Sequence, residues 1–304
     1  MAKPLIVKEA GKTKTVFQCV IVGAGANGSH FFRSLLHTVR THWDKFLAKG
    51  DDPDFDVLIT IVDKDVYEPK NKGNQLCDDE DMYVPKVIAL AERYGEHYRV
   101  PVNRVVEYVK DLEMLHKLFP DYSNGYGKHV QIVKVLVGMV DNNKSRQLFH
   151  RFFMSDEVKD LIYLDAGVEG VTVLNKPEDK FTAEDWEMVN SSGFGGQVVC
   201  GYKMAGKVLL SPVGLVYPNI LEDAHSAFPD ESCAALIINN PQRLKTNQLA
   251  AELTNVFMNN LFHMGSIFQH YVNFNAQFGG SRPVFISDEV IERAEQIKKE
   301  PVAL

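Results

Sequence analysis

Three glycines interrupt an apolar run near the start of the chain, in the segment VIVGAGANGSHF that begins at Val20. The β-branched residues before them predict a buried strand, and a helix is predicted from Ser29 to about residue 48. Gly23, Gly25 and Gly28 leave the backbone of the intervening turn uncovered. Because unpaired amides and the dipole of a helix start both favour negative charge, the segment predicts a phosphate-binding turn.

Polar residues that could act on a bound phosphate follow the later strands. VDKDVYEPKNKGNQ follows one predicted strand, VPKV opens a predicted helix, and VGMVDNNKSR ends another strand. Their chemistry-bearing residues are Asp63, Asp65, Asn71, Gln75, Lys86, Asp141, Asn142 and Arg146. Because ligands of open parallel sheets bind at the carboxyl ends of the strands, we expect Gly23, Asp63 and Asp141 to line one ligand-binding edge.

The glycine turn alone is also typical of dinucleotide sites, so an NAD-dependent oxidoreductase is one alternative. In such sites the ribose-binding acid follows the glycines by about 20 residues. Asp63 lies 40 residues beyond Gly23. Either this acid is unrelated, or the first helix carries an insertion, for which HWDKFLAKGDDPDFD from His42 is the candidate.

The elements that must hold these residues alternate between strand and helix over the first half of the chain. Strands are predicted over 17–22, from residue 58, over 100–108, within 129–141 and from residue 161, with helices between most of them. This alternation predicts an α/β fold: a Rossmann-like, doubly wound and mainly parallel sheet with helices on both faces.

The second half has a different pattern. Residues 175–196 are polar and glycine-rich, which predicts a surface excursion, and hairpins are predicted to turn at residues 205–206 and 279–280. A helix is predicted to start at Pro241, with the proline in its first turn. We predict a single domain over 1–304. It consists of a nucleotide-binding half over about 1–170, a crossover loop and hairpin over about 171–240, and a C-terminal helix and hairpin over about 241–304, with the C-terminal portion of the sheet antiparallel.

Composition and charge exclude several classes of protein. The 304 residues are 45% hydrophobic and 24% charged, which suits a chain with a full core. The formal net charge of -7 argues against nucleic-acid binding and against an anionic membrane surface. No apolar run is long enough to span a bilayer, and the N-terminal residues do not resemble a secretory signal. The four cysteines show no CxxC spacing, so we expect a reduced, cytoplasmic protein.

Taken in order, these motifs resemble those of the ThiF/MoeB/HesA family of ubiquitin-activating-type adenylating enzymes. The resemblance covers Asp63 and Asp65, Asn71, Gln75, Lys86, and the Asp141, Asn142 and Arg146 of the last motif. Two positions depart from the family pattern. Asn74 replaces the arginine before the glutamine, and Gly138 replaces the first aspartate of D-x-x-D-N-x-x-x-R. Lys70 and Lys72 are nearby candidates for the missing cation.

The resemblance implies ATP- and Mg²⁺-dependent adenylation of the C-terminal carboxylate of a small ubiquitin-like protein. Implied nucleotide-binding residues are Gly23, Gly25, Gly28, Asp65 and Gln75, together with Asp63 on the ribose and Asn71 and Lys86 on the phosphates. Asp141 is the implied Mg²⁺ ligand, and Lys86 and Asp141 are the implied catalytic groups. The departures at Asn74 and Gly138 leave a non-catalytic scaffold as a second alternative.

A cysteine and the C-terminal half extend the resemblance. Cys233, in the segment DESCAAL, stands where some family members carry a cysteine that accepts the activated chain, although Asp230 and Glu231 beside it would raise a thiol pKa. The alternative for Cys233 is a buried structural residue. SCA, QRLKTNQLAAEL and YVNFNAQFGGSRPV resemble the ThiF-related proteins of PRTRC systems. That resemblance implies a homodimer, with ubiquitin-like, conjugating-type and JAB-type proteins as partners.

Overall fold

The computed structural model describes residues 3–122, 125–229 and 242–296. Its strands are β1 Leu5–Ile6, β2 Lys14–Val22, β3 Phe55–Val62, β4 Val102–Val105, β5 Val130–Gly138, β6 Leu161–Val168, β7 Gly195–Met204, β8 Lys207–Leu210, β9 Ser266–Ile267, β10 Gln269–Asn275 and β11 Gly280–Phe285. Its helices are α1 Ala26–Leu47, α2 Lys86–Leu90, α3 Glu96–Tyr98, α4 Leu112–Leu118, α5 Asn143–Met154, α6 Ala183–Ser191, α7 Val213–Val216, α8 Asn219–Glu222, α9 Leu244–Met264 and α10 Asp288–Gln296. A π-helical turn, Ala91–Gly95, joins α2 to α3.

The main sheet has nine strands, in the order β11-β10-β7-β6-β5-β2-β3-β4, with β8 paired to β7. The five strands from β6 to β4 are mutually parallel, and β7, β8, β10 and β11 are added antiparallel. This confirms the predicted α/β class, with a parallel Rossmann-like portion and an antiparallel C-terminal portion. From β2 the chain continues to β3 and β4 on one side of the sheet, and from β5 it continues to β6 on the other side. The point where the strand order reverses therefore lies between the carboxyl ends of β2 and β5.

Helices cover both faces of the parallel strands. On one face, α1 and α9 pack together over Cys19 and Ile21 of β2, and on the other, α4 and α5 pack over Val20. All but the first residue of β2 are therefore buried, as expected for a central parallel strand. This packing fixes the carboxyl end of β2, where the glycine turn begins.

Three predicted boundaries were wrong. The first helix begins at Ala26 rather than Ser29, because Gly28 lets the helical backbone pass close to Gly23. β4 covers only Val102–Val105, the stretch that finds a partner on β3. α9 begins at Leu244 rather than at position 241, which lies outside the described residues.

The remaining general predictions concern cysteines and the membrane. Cys19 and Cys200 are buried in β2 and β7, and Cys77 is half-buried in the loop after β3. Burial raises the pKa of the Cys19 thiol to about 12, so it stays protonated. Across the described ranges, no helix combines the length and apolarity that crossing a bilayer demands.

Candidate functional site

The glycine turn lies between β3 and the residue that follows β5. The amide of Gly23 donates to the carbonyl of Val62 at 2.9 Å. Gly23 has a φ of 102°, and a Cβ on it would lie 2.6 Å from the carbonyl oxygen of Met139. A Cβ on Gly28 would lie 2.0 Å from the carbonyl oxygen of Gly23. Both positions therefore exclude any side chain, because backbone atoms occupy the space.

Gly25 is different, because open space surrounds it. It precedes the 22-residue helix α1, has a φ of −73°, and supplies no side-chain cap to the helix. A Cβ built there would meet no atom of the described chain within 4 Å. Nearby on the first turn, Asn27 is 7% exposed, and its Oδ1 has no hydrogen-bond partner among the described residues. The absence of a side-chain cap leaves the first-turn amides open to an anion, whereas Oδ1 of Asn27 is an acceptor and would take a hydrogen bond from a donor.

Two glycine substitutions separate folding from binding. Gly28→Ala places a methyl group against a backbone carbonyl, so we expect a loss of stability of about 1–3 kcal/mol. Gly25→Ala keeps an allowed φ and fills open space, so we expect an unchanged unfolding midpoint and weaker binding of ATP. Chemical denaturation and titration calorimetry measure the two effects. Equal ATP affinity in wild type and Gly25→Ala would contradict a phosphate above this turn.

Asp63 connects the end of β3 to the glycine turn. Its Oδ2 accepts the amide of Ala24 at 2.6 Å, and its Oδ1 accepts the amide of Asp65 at 2.8 Å. Burial raises the pKa of Asp63, while the charge of Lys86 acts in the opposite direction. The carboxylate therefore lies beside the glycine turn, at the carboxyl ends of β2 and β3, as the sequence predicts.

Asp65 and Lys86 form an ion pair next to Asp63. The Nζ of Lys86 lies 3.1 Å from Oδ2 of Asp65, and the amide of Lys86 donates to the Asp65 carbonyl at 2.9 Å. The lysine is 6% exposed, whereas the Asp65 side chain is 42% exposed. The hydroxyl of Tyr108 donates to the other oxygen of Asp65. A buried cation thus pairs with Asp65, two residues from the carboxylate that contacts the glycine turn.

The loop after β3 holds Asn71, Asn74 and Gln75. Oδ1 of Asn71 accepts the amide of Glu68 at 2.8 Å, so this oxygen shapes the loop. Oδ1 of Asn74 accepts a hydrogen bond from Asn247 of α9 at 2.7 Å. Oε1 of Gln75 is buried without a hydrogen-bond partner among the described residues. Asn74 thus connects the loop to α9 instead of presenting a charge.

The two lysines that could replace the missing arginine are already ion-paired. Lys70 contacts Glu68 at 2.6 Å, and Lys72 contacts Asp79. The Lys70 side chain is 63% exposed, so its pair lies in solvent. Lys86, by contrast, is 6% exposed and pairs with Asp65 at the predicted site.

Asp141 lies beyond the end of β5 and is exposed. The backbone between β5 and Asp141 runs beside the start of the glycine turn, because the amide of Met139 donates to the carbonyl of Val22 at 2.8 Å. Asn142 caps α5, and its Oδ1 accepts the amide of Ser145 at 2.8 Å. Within the ranges that the structure describes, no three His, Cys, Asp or Glu residues cluster as a metal site. A cation held by Asp141 would therefore need ligands from elsewhere, such as phosphate oxygens and water.

Arg146 is a structural residue of this edge. It is 8% exposed, and its Nε donates to Oδ1 of Asp165 at 3.1 Å. Its Nη2 donates to the carbonyl of Val140 at 2.7 Å, and its Nη1 to Oδ1 of Asn143 at 3.2 Å. The guanidinium thus joins the residue before Asp141 to the end of β6.

Two residues of this edge are not among those predicted from the sequence. Tyr108 follows β4, and Asp165 lies near the carboxyl end of β6. Both are predictable in principle, because each lies in or just after a parallel strand beside one already considered. The charge of Asp165 is unusual in a strand that is otherwise apolar, and that was the available signal.

Two anchored segments flank the predicted cysteine in sequence. Before it, the amide of Lys144 donates to Oγ of Ser226 at 2.9 Å, which ties this segment to the start of α5. After it, the Gln242 carbonyl accepts a hydrogen bond from Asn74 at 3.4 Å. Cys233 itself lies outside the described residues.

The predicted surface excursion contains the exposed helix α6, which has no buried residue. Arg243 holds the end of this helix, donating to the carbonyls of Val189, Asn190 and Ser192 at 2.8–3.2 Å. This part of the predicted crossover is thereby attached to the start of α9.

Comparisons with known proteins bear on the fold. No family model and no curated protein sequence matches the chain. The crystal structure of PaaA is similar at 14% identity and a TM-score of 0.51, over 91% of this chain and 65% of PaaA. The microcin C7 biosynthetic enzyme MccB, in complex with N-formylated MccA, is similar at 14% identity and a TM-score of 0.51, over 91% of this chain and 66% of MccB.

A further structure, E. coli MccB with succinimide, has 13% identity and a TM-score of 0.50, over 90% of this chain and 64% of that one. The chain thus spans about 65% of the length of the structures it matches. At these identities the similarity concerns the fold, and the chain has the Rossmann-like α/β fold of PaaA and MccB.

Proposed function

We propose that this protein is an ATP- and Mg²⁺-dependent adenylating enzyme that activates the C-terminal carboxylate of a small ubiquitin-like protein. One observation carries the proposal: the buried Lys86 is paired with Asp65 directly beside Asp63, whose carboxylate accepts an amide of the glycine turn. A buried cation next to an anion-binding turn suits a reaction in which a triphosphate and a carboxylate must approach each other.

In the proposed reaction, an oxygen of the substrate carboxylate attacks the α-phosphorus of ATP. The bond from that phosphorus to the bridging oxygen breaks, and pyrophosphate leaves. Lys86 opposes the charge that builds up on the phosphoryl oxygens. The uncapped first turn of α1 and the side-chain Nδ2 of Asn71 bind phosphate, and Asp63 and Asp65 face the ribose. Oε1 of Gln75, which has no partner in the described part of the chain, accepts a hydrogen bond from the nucleotide.

Mg²⁺ fits the residues at the end of β5. Asp141 is an exposed carboxylate next to the segment that contacts the glycine turn. Carboxylate oxygen is a preferred ligand of this hard cation, which usually keeps water and substrate phosphates as its other ligands. When bound, the ion would neutralise phosphate charge, and Asp141 would hold it there.

The substrate class rests on the motif resemblance to the ThiF/MoeB/HesA family. The fold of MccB, crystallised with N-formylated MccA, supports a polypeptide as the acceptor. The PRTRC-type membership, the conjugating-type and JAB-type partners, the homodimer and the cytoplasmic location belong to this proposal. So does a crossover over the acyl-adenylate site, formed by part of residues 171–240.

A thermal shift with ATP plus Mg²⁺, and separately with NAD, tests the proposal without a known acceptor. At about a hundred times its Kd, a ligand stabilises the folded state by about 2.7 kcal/mol. We expect a shift with ATP plus Mg²⁺ that falls in Asp141→Ala. A shift with NAD alone would support an oxidoreductase instead, and no shift with either ligand would support a non-catalytic scaffold.

Transfer of the activated chain to Cys233 is a separate step of the proposal. The thiol would attack the acyl-adenylate carbonyl, so that a thioester forms and AMP leaves. With the ubiquitin-like partner, Cys233→Ser is expected to trap an oxyester that resists thiol reagents, seen as a mass shift on a denaturing gel. An unchanged conjugation rate in Cys233→Ala would remove this role without affecting the adenylation step.

A further inference from the structure

The buried carboxylate of Asp165 stands next to Gly138. The two residues are partners in the pairing of β5 and β6. A Cβ on Gly138 would lie 3.0 Å from Oδ2 of Asp165 and 3.4 Å from the ring of Phe149. The space beside Gly138, where the family pattern has an aspartate, is therefore taken by a carboxylate from the neighbouring strand.

Asp165 has partners on both of its oxygens. Oδ1 accepts Nε of Arg146 at 3.1 Å, and Oδ2 accepts the hydroxyl of Tyr163 at 2.8 Å. Asp165 and Tyr163 are both fully buried. Burial, together with the Asp165 charge, raises the pKa of Tyr163, so the phenol keeps its proton and donates it. The carboxylate is thus held in one orientation toward Arg146.

Arg146 transmits this orientation to the backbone that precedes Asp141. Its Nη2 bridges the carbonyls of Val140, at 2.7 Å, and Ala166, at 3.3 Å. The exposed Asp141 side chain has a long contact, 3.4 Å, from Nδ2 of Asn142. Its location is therefore set mainly by the backbone, and that backbone is tied to Arg146.

We propose that Asp165 is a positioning residue of the site: acting through Arg146, it fixes the backbone at Val140 and thereby the place of the Asp141 carboxylate. In this role it supplies from β6 the carboxylate that Gly138 lacks on β5. The inference rests on the proposed function, because it assigns Asp141 to the bound cation.

A role in stability alone does not account for this arrangement. A buried ion pair is a weak source of stability, because removing both charges from water offsets most of their attraction. Apolar residues of similar size are often equally stable in such places. The contacts from Arg146 to Val140 and Ala166 join the ends of two parallel strands at the ligand-binding edge, where geometry matters for a bound ion.

The test compares wild type, Asp165→Asn, Gly138→Asp and the exchange variant Gly138→Asp/Asp165→Gly. ATP affinity is measured by calorimetry with Mg²⁺ and again with EDTA. We expect Asp165→Asn to lower ATP affinity with Mg²⁺ by about tenfold or more and to leave the affinity in EDTA unchanged. Gly138→Asp alone places two carboxylates together, and the exchange variant restores one carboxylate beside Arg146. The proposal is supported if the exchange variant again binds ATP more tightly with Mg²⁺ than with EDTA.

Hydrogen exchange of peptides spanning 139–142 provides a readout that does not need the nucleotide. We expect faster exchange there in Asp165→Asn, reversed in the exchange variant. If wild type binds no ATP, the proposed function fails, while faster exchange at 139–142 still supports positioning. A folded Asp165→Asn with wild-type exchange and wild-type Mg²⁺ dependence overturns the inference. If Asp165→Asn does not fold, a folded exchange variant without Mg²⁺ dependence overturns it.

Discussion

Lys86→Met is expected to reduce ATP affinity about 10- to 100-fold, because it removes a charged hydrogen-bond donor worth about 1.5–3 kcal/mol. Methionine keeps the length and most of the volume of the buried side chain. Asp65, already 42% exposed, keeps its bond from Tyr108 and gains water. The buried Asp63 loses the nearby charge of Lys86, so we expect a loss of folding stability, smaller than that of Arg146→Met because no direct ion pair of a fully buried carboxylate is broken. With the acceptor protein present, ATP–pyrophosphate exchange should fall further, by about 10²–10³-fold, because the developing charge loses its partner.

Lys64→Met is the matched control for this prediction. Lys64 is exposed and lies 5.6 Å from the centre of the Tyr108 ring, so it is close to the same carboxylates without being buried among them. We expect its ATP affinity to stay near that of wild type. Equal losses in Lys64→Met and Lys86→Met would mean that the general positive field of the region, and not the buried lysine, binds the phosphates.

Arg146→Met is expected to destabilise the fold by about 3–5 kcal/mol, because it leaves the buried Asp165 carboxylate without its counter-charge. The variant also removes the donors to the carbonyls of Val140 and Ala166. Urea denaturation measures the loss. We expect Arg146→Met/Asp165→Asn to recover part of it, because the uncompensated charge is then gone.

Arg40→Met is the comparison for this second prediction. Arg40 pairs with Asp44 on the surface of α1, where the two side chains are 27% and 53% exposed. Its loss should cost less than about 1 kcal/mol. If Arg146→Met were no more damaging than Arg40→Met, the penalty expected for breaking this buried ion pair would be contradicted.

Much of the parallel half of the fold could be predicted from the sequence, because strand and helix periods are local. The apolar runs of β2, β3, β5 and β6 identify buried strands, and the glycines identify the turn. The π-helical turn Ala91–Gly95 and the start of α9 could not be predicted, since both depend on tertiary packing.

The candidate site was predicted in part. The position of Asp63 beside the glycine turn follows from strand order, whereas the ion pair of Lys86 with Asp65 is visible only in the structure. The roles of Asn71 and Asn74 within their loop could not be predicted, because spacing does not show which side-chain atoms the loop itself uses. Asp165 was missed since its relation to Gly138 exists only across the strand pairing.

That pairing has a consequence for how distant homologues are compared. Gly138 and Asp165 are 27 residues apart in the chain but adjacent across a β-ladder, so a carboxylate can move from one to the other without leaving its location in space. An alignment column at 138 registers the glycine as a lost acid, and the column at 165 registers an unrelated gain. Comparing proteins by ladder neighbours, instead of by columns alone, would recognise such exchanges and would separate them from real losses of a functional group.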